Sequence, residues 1–171
     1  MPMKVLVIIV SYNFERWIER CLGSLRLSQY PIDTVVIDNG SKDQTIQRIQ
    51  KDYPEIRLLP QNENLGFGRA NNIGMKIALT EGYDFVFLLN QDAWIDSNTI
   101  GKLVELSQSH PQYGIFSPVH LTGKGDKPDP GFGHYAQIQQ LSQLPENEIL
   151  QIPFANAAFW MIPISVLKKV G

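Results

Sequence analysis

Short hydrophobic runs alternate along the chain with stretches of helical periodicity. Phe85–Leu89 is an unbroken apolar run, and Val5–Val10 is a second one. Runs of this length are too short for helices and fit parallel strands buried on both faces. Thr34–Ile37, Ile56–Leu59 and Ile115–Val119 predict three further strands, since they are short and rich in apolar or β-branched residues.

Between these strands, apolar residues recur every three or four positions, which is the period of an amphipathic helix. The predicted helices span Phe14 to about Leu27, Ser41–Tyr53, Gly66–Thr80, Ser97–Ser109 and Ile164–Val170. Ser41 and Gln44 have the spacing of a capping box at the start of the second helix. Thr122–Gly133 predicts a mobile loop because it is rich in glycine and proline. Ile149–Ile152 and Phe154–Ile162 predict extended segments.

This alternation of strands and helices predicts an α/β fold, a doubly wound and mostly parallel sheet with helices on both faces. Right-handed crossovers would bring the loops after the first, second and central strands to one edge of the sheet. A chain of 171 residues that is 43% hydrophobic is long enough for one globular domain with a sizeable core.

Charge and cysteine content narrow the class of protein. The formal net charge of −2 gives no electrostatic reason to expect binding to nucleic acid. The lone cysteine, Cys21, lies on an apolar helix face and excludes an internal disulfide, so we expect a cytoplasmic protein. No apolar run approaches the ~20 residues of a transmembrane helix, so membrane association would be peripheral, at the inner face of the membrane.

Polar residues follow the central strand directly. Asn90, Gln91 and Asp92 come after Phe85–Leu89, at the strand end where open α/β sheets bind ligands. A carboxylate beside a buried strand needs a partner, and a divalent cation is one such partner. An isolated Asp at this position could also be a helix cap or a turn residue. The carboxylate of Asp38 and the amides at other strand ends favour the cation.

Five motifs of polar residues and glycines then occur in order. They are Ile8–Asn13, Val35–Ser41 with Asp43, Asn62–Gly74, Leu88–Asp92 and Asn156–Ile162. This set resembles the family 2 glycosyltransferases of the GT-A fold, inverting enzymes that use nucleotide-activated sugars. The resemblance covers essentially all 171 residues and implies one GT-A domain over residues 1–171. Residues 1–95 would bind the nucleotide sugar, and residues 96–171 would begin the half that binds the acceptor.

The resemblance also implies roles for individual residues. Ser11, Tyr12 and Asn13 match the segment that wraps the nucleobase, and Asp38 matches the carboxylate that bonds it. A carboxylate accepts hydrogen bonds only, which suits the N3–H group of a pyrimidine. The remaining residues expected to contact the nucleotide and its phosphates are Asn64, Gly66, Arg69, Asn72, Asn90 and Gln91.

The resemblance also implies which residues hold the metal ion and which line the acceptor side. The resemblance implies that Asp92 holds Mg²⁺ or Mn²⁺ against the diphosphate, and that Asn156 and Trp160 line the acceptor side. Trp160 could stack on a sugar, or it could be an ordinary core residue. Asn90 stands where many members have Asp, and this Asn-x-Asp pattern is common in members resembling bacterial rhamnosyltransferases, which use dTDP-sugars.

The family's general base lies just beyond a segment resembling Phe154–Gly171, so no catalytic base is assigned here, and we expect a truncated domain. The favoured function is inverting transfer from a dTDP- or UDP-sugar to a saccharide or lipid-linked acceptor in cell-surface polysaccharide synthesis. One alternative is a catalytically incomplete module that binds a nucleotide sugar. A sugar nucleotidyltransferase is disfavoured, because Ser11–Glu15 is not the Gly-rich, basic loop that such enzymes carry after their first strand.

Overall fold

The fold is organised around a five-stranded sheet with the strand order β3-β2-β1-β4-β5. The computed structural model describes residues 2–144 and 149–170. The strands are β1 (Val5–Ser11), β2 (Asp33–Asp38), β3 (Arg57–Pro60), β4 (Phe85–Leu89) and β5 (Phe159–Pro163). Strands β1 to β4 are parallel to one another, and β5 runs antiparallel to β4. The predicted mostly parallel sheet is confirmed.

Helices cover both faces of this sheet, as predicted. They are α1 (Ile18–Arg26), α2 (Thr45–Asp52), α3 (Phe67–Thr80), α4 (Thr99–Ser109), α5 (Pro130–Ala136) and α6 (Ile164–Val170). Buried residues of α1, α2 and α4 pack with Val5, Val7 and Ile9 of β1 on one face. Residues of α3 and α6 pack with Leu6 and Ile8 on the other. Both faces of β1 are therefore buried, which explains its unbroken apolar sequence.

Two predicted helix starts are wrong. The first helix begins at Ile18 rather than Phe14, because residues 14–17 form a turn in which the Trp17 N–H group donates to the Phe14 carbonyl at 2.9 Å. The second begins at Thr45, and the capping box of Ser41 and Gln44 does not form. The Ser41 hydroxyl instead donates to the buried carboxylate of Asp38, three residues earlier, and accepts the N–H group of Asn13 from the loop after β1, so it does not cap the helix.

The region after α4 departs most from the prediction. Ile115–Val119 contributes only an isolated bridge between Phe116 and Met161, because Pro118 has no N–H group to continue a ladder. Within Thr122–Gly133, the end of the predicted loop is the start of α5, which Asp129 caps by accepting hydrogen bonds from the N–H groups of Gly131 and Phe132. Asp129 followed by Pro130 at the first helical position is a helix start signal that is present in the sequence.

The extended C-terminal segments are confirmed in part. Phe154–Ile162 contains the start of β5, whereas Ile149–Ile152 forms no strand. Within residues 2–144 and 149–170, no helix is both long enough and apolar enough to span a bilayer.

A close approach of α3 to β1 offers a test of this packing. A Cβ atom added to Gly74 of α3 would lie 2.6 Å from Ile8 Cγ2 in β1. We expect Gly74→Ala to lower the free energy of unfolding by about 1–3 kcal/mol, since an overpacked core must shift. Gly68→Ala in the same helix is the control, because its added methyl meets no atom within 4 Å. Urea denaturation measures both, and an unchanged midpoint for Gly74→Ala would contradict the packing described.

Candidate functional site

The loops after β1, β2, β3 and β4 lie side by side at the carboxyl edge of the sheet, which we call the site edge. The Asn39 N–H group donates to the Ser11 carbonyl at 2.7 Å, and the Gln61 N–H group donates to the Asp38 carbonyl at 2.8 Å. The Asn90 N–H group donates to the Ala158 carbonyl at 3.1 Å, which adds the segment before β5. The predicted convergence of strand-end loops at one edge is therefore observed.

Asp38 is a buried carboxylate between the first two loops, and none of its surface is exposed. Its Oδ1 atom accepts hydrogen bonds from the hydroxyl groups of Ser11, at 2.8 Å, and Ser41. Its Oδ2 atom accepts from the Ser41 N–H group at 2.9 Å. The Ser41 hydroxyl in turn accepts from the Asn13 N–H group at 2.8 Å. These bonds satisfy a charge that would otherwise be costly to bury.

A second connection between the same loops was missed at the sequence level. The Thr45 hydroxyl accepts from the Phe14 N–H group at 2.7 Å, and Asp43 Oδ2 accepts from the Glu15 N–H group at 3.1 Å. Burial alone would raise the pKa of Asp43, but hydrogen bonds from Thr45 and Glu15 outweigh it and hold the pKa below its usual value. The sequence feature that could have indicated this connection is an Asp-x-Thr sequence directly after a strand-end loop.

Gln91 joins the loop after β4 to the loop after β1. The Tyr12 N–H group donates to Gln91 Oε1 at 2.9 Å, and Gln91 Nε2 donates to the Tyr12 carbonyl at 3.2 Å. The amide thus pairs with the backbone in both directions, as a neighbouring strand would. We predicted that Gln91 contacts a nucleotide; in the structure its amide is engaged with Tyr12, and the nucleotide contact stays a prediction.

Asp92 is exposed at the site edge, two residues after partly buried Asn90. Across residues 2–144 and 149–170, no three His, Cys, Asp or Glu side chains cluster as metal ligands. Cys21 lies nearby, 3.9 Å from the Asn90 carbonyl, but burial and the charge of Asp92 raise the pKa of its thiol, so the thiol stays protonated. A single carboxylate fits Mg²⁺, which proteins often hold through one or two carboxylates together with phosphate oxygens.

The loop before α3 holds the residues predicted to contact phosphates. Asn64 Oδ1 accepts from the Gly66 N–H group at 2.8 Å, and Gly66 has a φ of 79°, which favours glycine. Arg69 and Asn72 are exposed and lie three residues apart in α3, so they share one face of the helix. The loop and the first two turns of α3 therefore present an arginine, amides and helix N–H groups to solvent.

The two predicted acceptor residues lie at the other end of the site edge. Asn156 is exposed, and its N–H group points at the Tyr135 hydroxyl at 3.5 Å. Trp160 is partly buried against the cluster of α3 and α6, and its indole N–H group donates to the Ala155 carbonyl at 3.2 Å. Core packing, one of the two readings of Trp160, is thus observed, and its contact with a sugar stays a prediction.

A mostly parallel sheet with polar loops gathered at its carboxyl edge is the architecture of nucleotide-using α/β proteins. The chain matches the family model described as Glycosyl transferase family 2 over residues 6–171. It therefore belongs to glycosyltransferase family 2, as the sequence motifs indicated.

Two curated relatives are informative. The chain is 33% identical over 122 residues to the N-acetylglucosaminyl-diphospho-decaprenol L-rhamnosyltransferase of Mycobacterium tuberculosis, an alignment covering 66% of this chain and 40% of that protein. It is 30% identical over 172 residues to the low-salt glycan biosynthesis hexosyltransferase Agl10 of Haloferax volcanii, covering 96% and 54%. The chain thus spans about half the length of these relatives.

Solved structures show the fold to be of the GT-A type. Mannosyltransferase PcManGT from Pyrobaculum calidifontis, in complex with GDP-Man and Mn²⁺, matches with a TM-score of 0.75 and 21% identity, over 100% of this chain and 47% of that one. The Staphylococcus aureus protein TarS 1-349 in complex with UDP-GlcNAc matches with a TM-score of 0.58 and 28% identity, over 66% of this chain and 33% of that one.

The pairing of Gln91 with Tyr12 can be tested without a ligand. Gln91→Ala removes both hydrogen bonds, so we expect the Tyr12 amide to exchange with solvent roughly ten-fold faster, as loss of such a bond allows. Asn72→Ala, on the exposed face of α3, is the control and should leave Tyr12 unchanged. Hydrogen exchange followed by NMR is the measurement. Unaltered protection in Gln91→Ala would mean that Ser41 and Thr45 alone hold this loop.

Proposed function

We propose that this chain binds a nucleoside diphosphate sugar at the site edge and supplies the donor-binding part of an inverting glycosyltransferase. The observation that carries the proposal is the gathering of four strand-end loops at one edge of the sheet, which also carries the exposed carboxylate of Asp92. Family membership supports it, and so do the relatives: one is named a rhamnosyltransferase, and TarS is seen in complex with UDP-GlcNAc.

In this proposal each loop contacts one part of the donor. The nucleoside lies against Tyr12 and Asn13, with Asp38 and Ser11 beneath them. Ser11, predicted to contact the base, is wholly buried and its hydroxyl is bonded to Asp38. The diphosphate lies against the loop before α3 and the start of that helix, where exposed N–H groups and the positive end of the helix dipole favour anions. The side chains available to it there are Asn64, Arg69 and Asn72, together with the Gly66 backbone.

The end of β4 would hold the leaving group. Asp92 would hold a divalent cation, Mg²⁺ or Mn²⁺, with the Asn90 amide beside it. Such an ion neutralises charge that develops on the departing diphosphate. Mn²⁺ in the PcManGT structure supports this choice of metal. Arg69 would add a fixed positive charge on the phosphate side.

The acceptor would approach from the side of Asn156 and Trp160. Its hydroxyl attacks the anomeric carbon on the face opposite the diphosphate, so the configuration inverts, and a general base takes the hydroxyl proton. We propose a saccharide or lipid-linked acceptor, in cell-surface polysaccharide synthesis at the inner face of the membrane. The relative whose name contains diphospho-decaprenol supports a lipid-linked acceptor, and its rhamnosyl activity supports a dTDP-linked donor alongside a UDP-linked one.

A panel of nucleotides tests donor binding. UDP, dTDP, GDP and CMP are added to the chain with and without Mn²⁺, and the melting temperature is recorded. A ligand at about 100 times its Kd stabilises the native state by ~2.7 kcal/mol, so we expect UDP or dTDP with Mn²⁺ to raise the melting temperature most. Product analysis with radiolabelled sugar nucleotides then separates sugar transfer, nucleotidyl exchange and binding alone. No shift with any of the four nucleotides would contradict the proposal.

Asp92→Asn tests the cation site. The fold should stay intact, because Asp92 is exposed, while the stabilisation that Mn²⁺ adds to nucleotide binding should disappear. Any transfer activity should fall by about 10²-fold or more, a typical loss for an electrostatic group that stabilises the transition state. Asp96→Asn is the matched control, since Asp96 is also exposed and follows the same strand. An unchanged metal requirement in Asp92→Asn would show that Asp92 does not hold the ion.

A further inference from the structure

We propose that Asp38 is a positioning residue that orients the nucleoside loop through Ser41 and does not itself touch the ligand. The inference rests on the proposed function, because it concerns how the nucleotide is recognised. It differs from the prediction made from the sequence, in which the Asp38 carboxylate bonds the base directly.

A ligand has no access to Asp38. Asp38 is wholly buried, and its two oxygens already accept three hydrogen bonds from Ser11 and Ser41. Gly40, with a φ of 78°, lets the chain fold back so that both the N–H group and the hydroxyl of Ser41 reach the carboxylate. A base could bond Asp38 only by displacing Ser41, which would leave buried polar groups without partners.

The hydrogen bonds of the Ser41 hydroxyl have a defined direction. An ionised carboxylate only accepts, so the Ser41 hydroxyl must donate its single proton to Asp38. The oxygen lone pairs of Ser41 then accept the Asn13 N–H group at 2.8 Å. Asn13 Oδ1 accepts the Lys42 N–H group at 2.9 Å, which closes the connection between the two loops. The charge on Asp38 therefore fixes the direction of this chain of hydrogen bonds.

These hydrogen bonds support an uncommon backbone conformation at Asn13. Asn13 has a φ of 51°, an uncommon left-handed conformation for a residue other than glycine. Its neighbour Tyr12 is 45% exposed at the site edge. Because Asp38 lies underneath, the groups offered to a nucleoside are those of Tyr12 and Asn13. Selectivity between bases should accordingly depend on Tyr12 and Asn13. Loss of the Asp38 carboxylate should weaken the binding of every base by the same factor.

Two variants test this role. Asp38→Asn keeps the shape but puts an N–H donor where only acceptors stood, so it can donate to Ser41 and compete with Asn13. Ser41→Ala removes the hydroxyl. In both, we expect the Asn13 amide of the ligand-free protein to exchange roughly ten-fold faster, while protection of Val7 in β1 is unchanged. Ser41→Thr keeps the hydroxyl and should restore slow exchange at Asn13.

Calorimetric titration with UDP and CDP in the presence of Mn²⁺ provides the second readout. Positioning predicts that both variants weaken UDP and CDP by the same factor, about ten-fold, so that the ratio of the two affinities stays constant. A changed ratio in Asp38→Asn but not in Ser41→Ala would overturn the inference, because it would place the carboxylate against the base. Should Asp38→Asn fail to fold, Ser41→Ala still decides: unchanged Asn13 exchange would reject the role of Asp38.

The exchange experiment also separates this inference from the proposed function, because it needs no ligand. If the parent chain bound neither nucleotide, the proposed function would fail, while faster exchange at Asn13 would still establish the positioning role.

Discussion

The arrangement of the site depends on the burial of β1 between two layers of helices. Its residues Val7, Ile8 and Ile9 have no exposed surface, so burial fixes the position of the strand in the sheet. Pairing with β2 then sets Ser11 level with Asp38, and residues paired in a parallel ladder point to the same face. The 2.8 Å bond between Ser11 and Asp38 follows from this register. A slip by one residue would turn the two side chains to opposite faces.

The same constraint explains which parts of the fold could be predicted from sequence. Val5–Val10 and Phe85–Leu89 are apolar on both faces, and a parallel sheet covered by helices is the environment that such runs fit. From residue 115 onward, the sequence pattern does not specify one environment in this way. Pairing between Phe116 and Met161 joins segments 45 residues apart in sequence, and no local pattern specifies it. The capping box failed for a related reason, since a partner distant in sequence, Asn13, shares the hydroxyl of Ser41.

For the site, sequence alone could predict which residues gather but not what each one bonds. Parallel strands deliver their carboxyl ends to one edge, so the approach of Ser11, Asp38 and Asn90 followed from the order of elements. Whether a strand-end side chain points into the protein or into solvent depends on the register and on the loop beyond it. Gln91 and Asp38 both form bonds within the protein that require loop geometry, which short motifs do not encode.

The two carboxylates at the site edge, Asp38 and Asp92, therefore differ in burial and in proposed role. Asp38 is buried and its oxygens are bonded, so it contributes to the shape of the loops in the absence of a ligand. Asp92 is exposed, and in the proposed function it holds the cation. Loops already held by hydrogen bonds lose less conformational freedom when a ligand binds, which leaves more of the interaction energy for affinity. In the proposed function, an ion bound at Asp92 would then act on a diphosphate whose nucleoside is held by the loop that the Asp38 hydrogen bonds position.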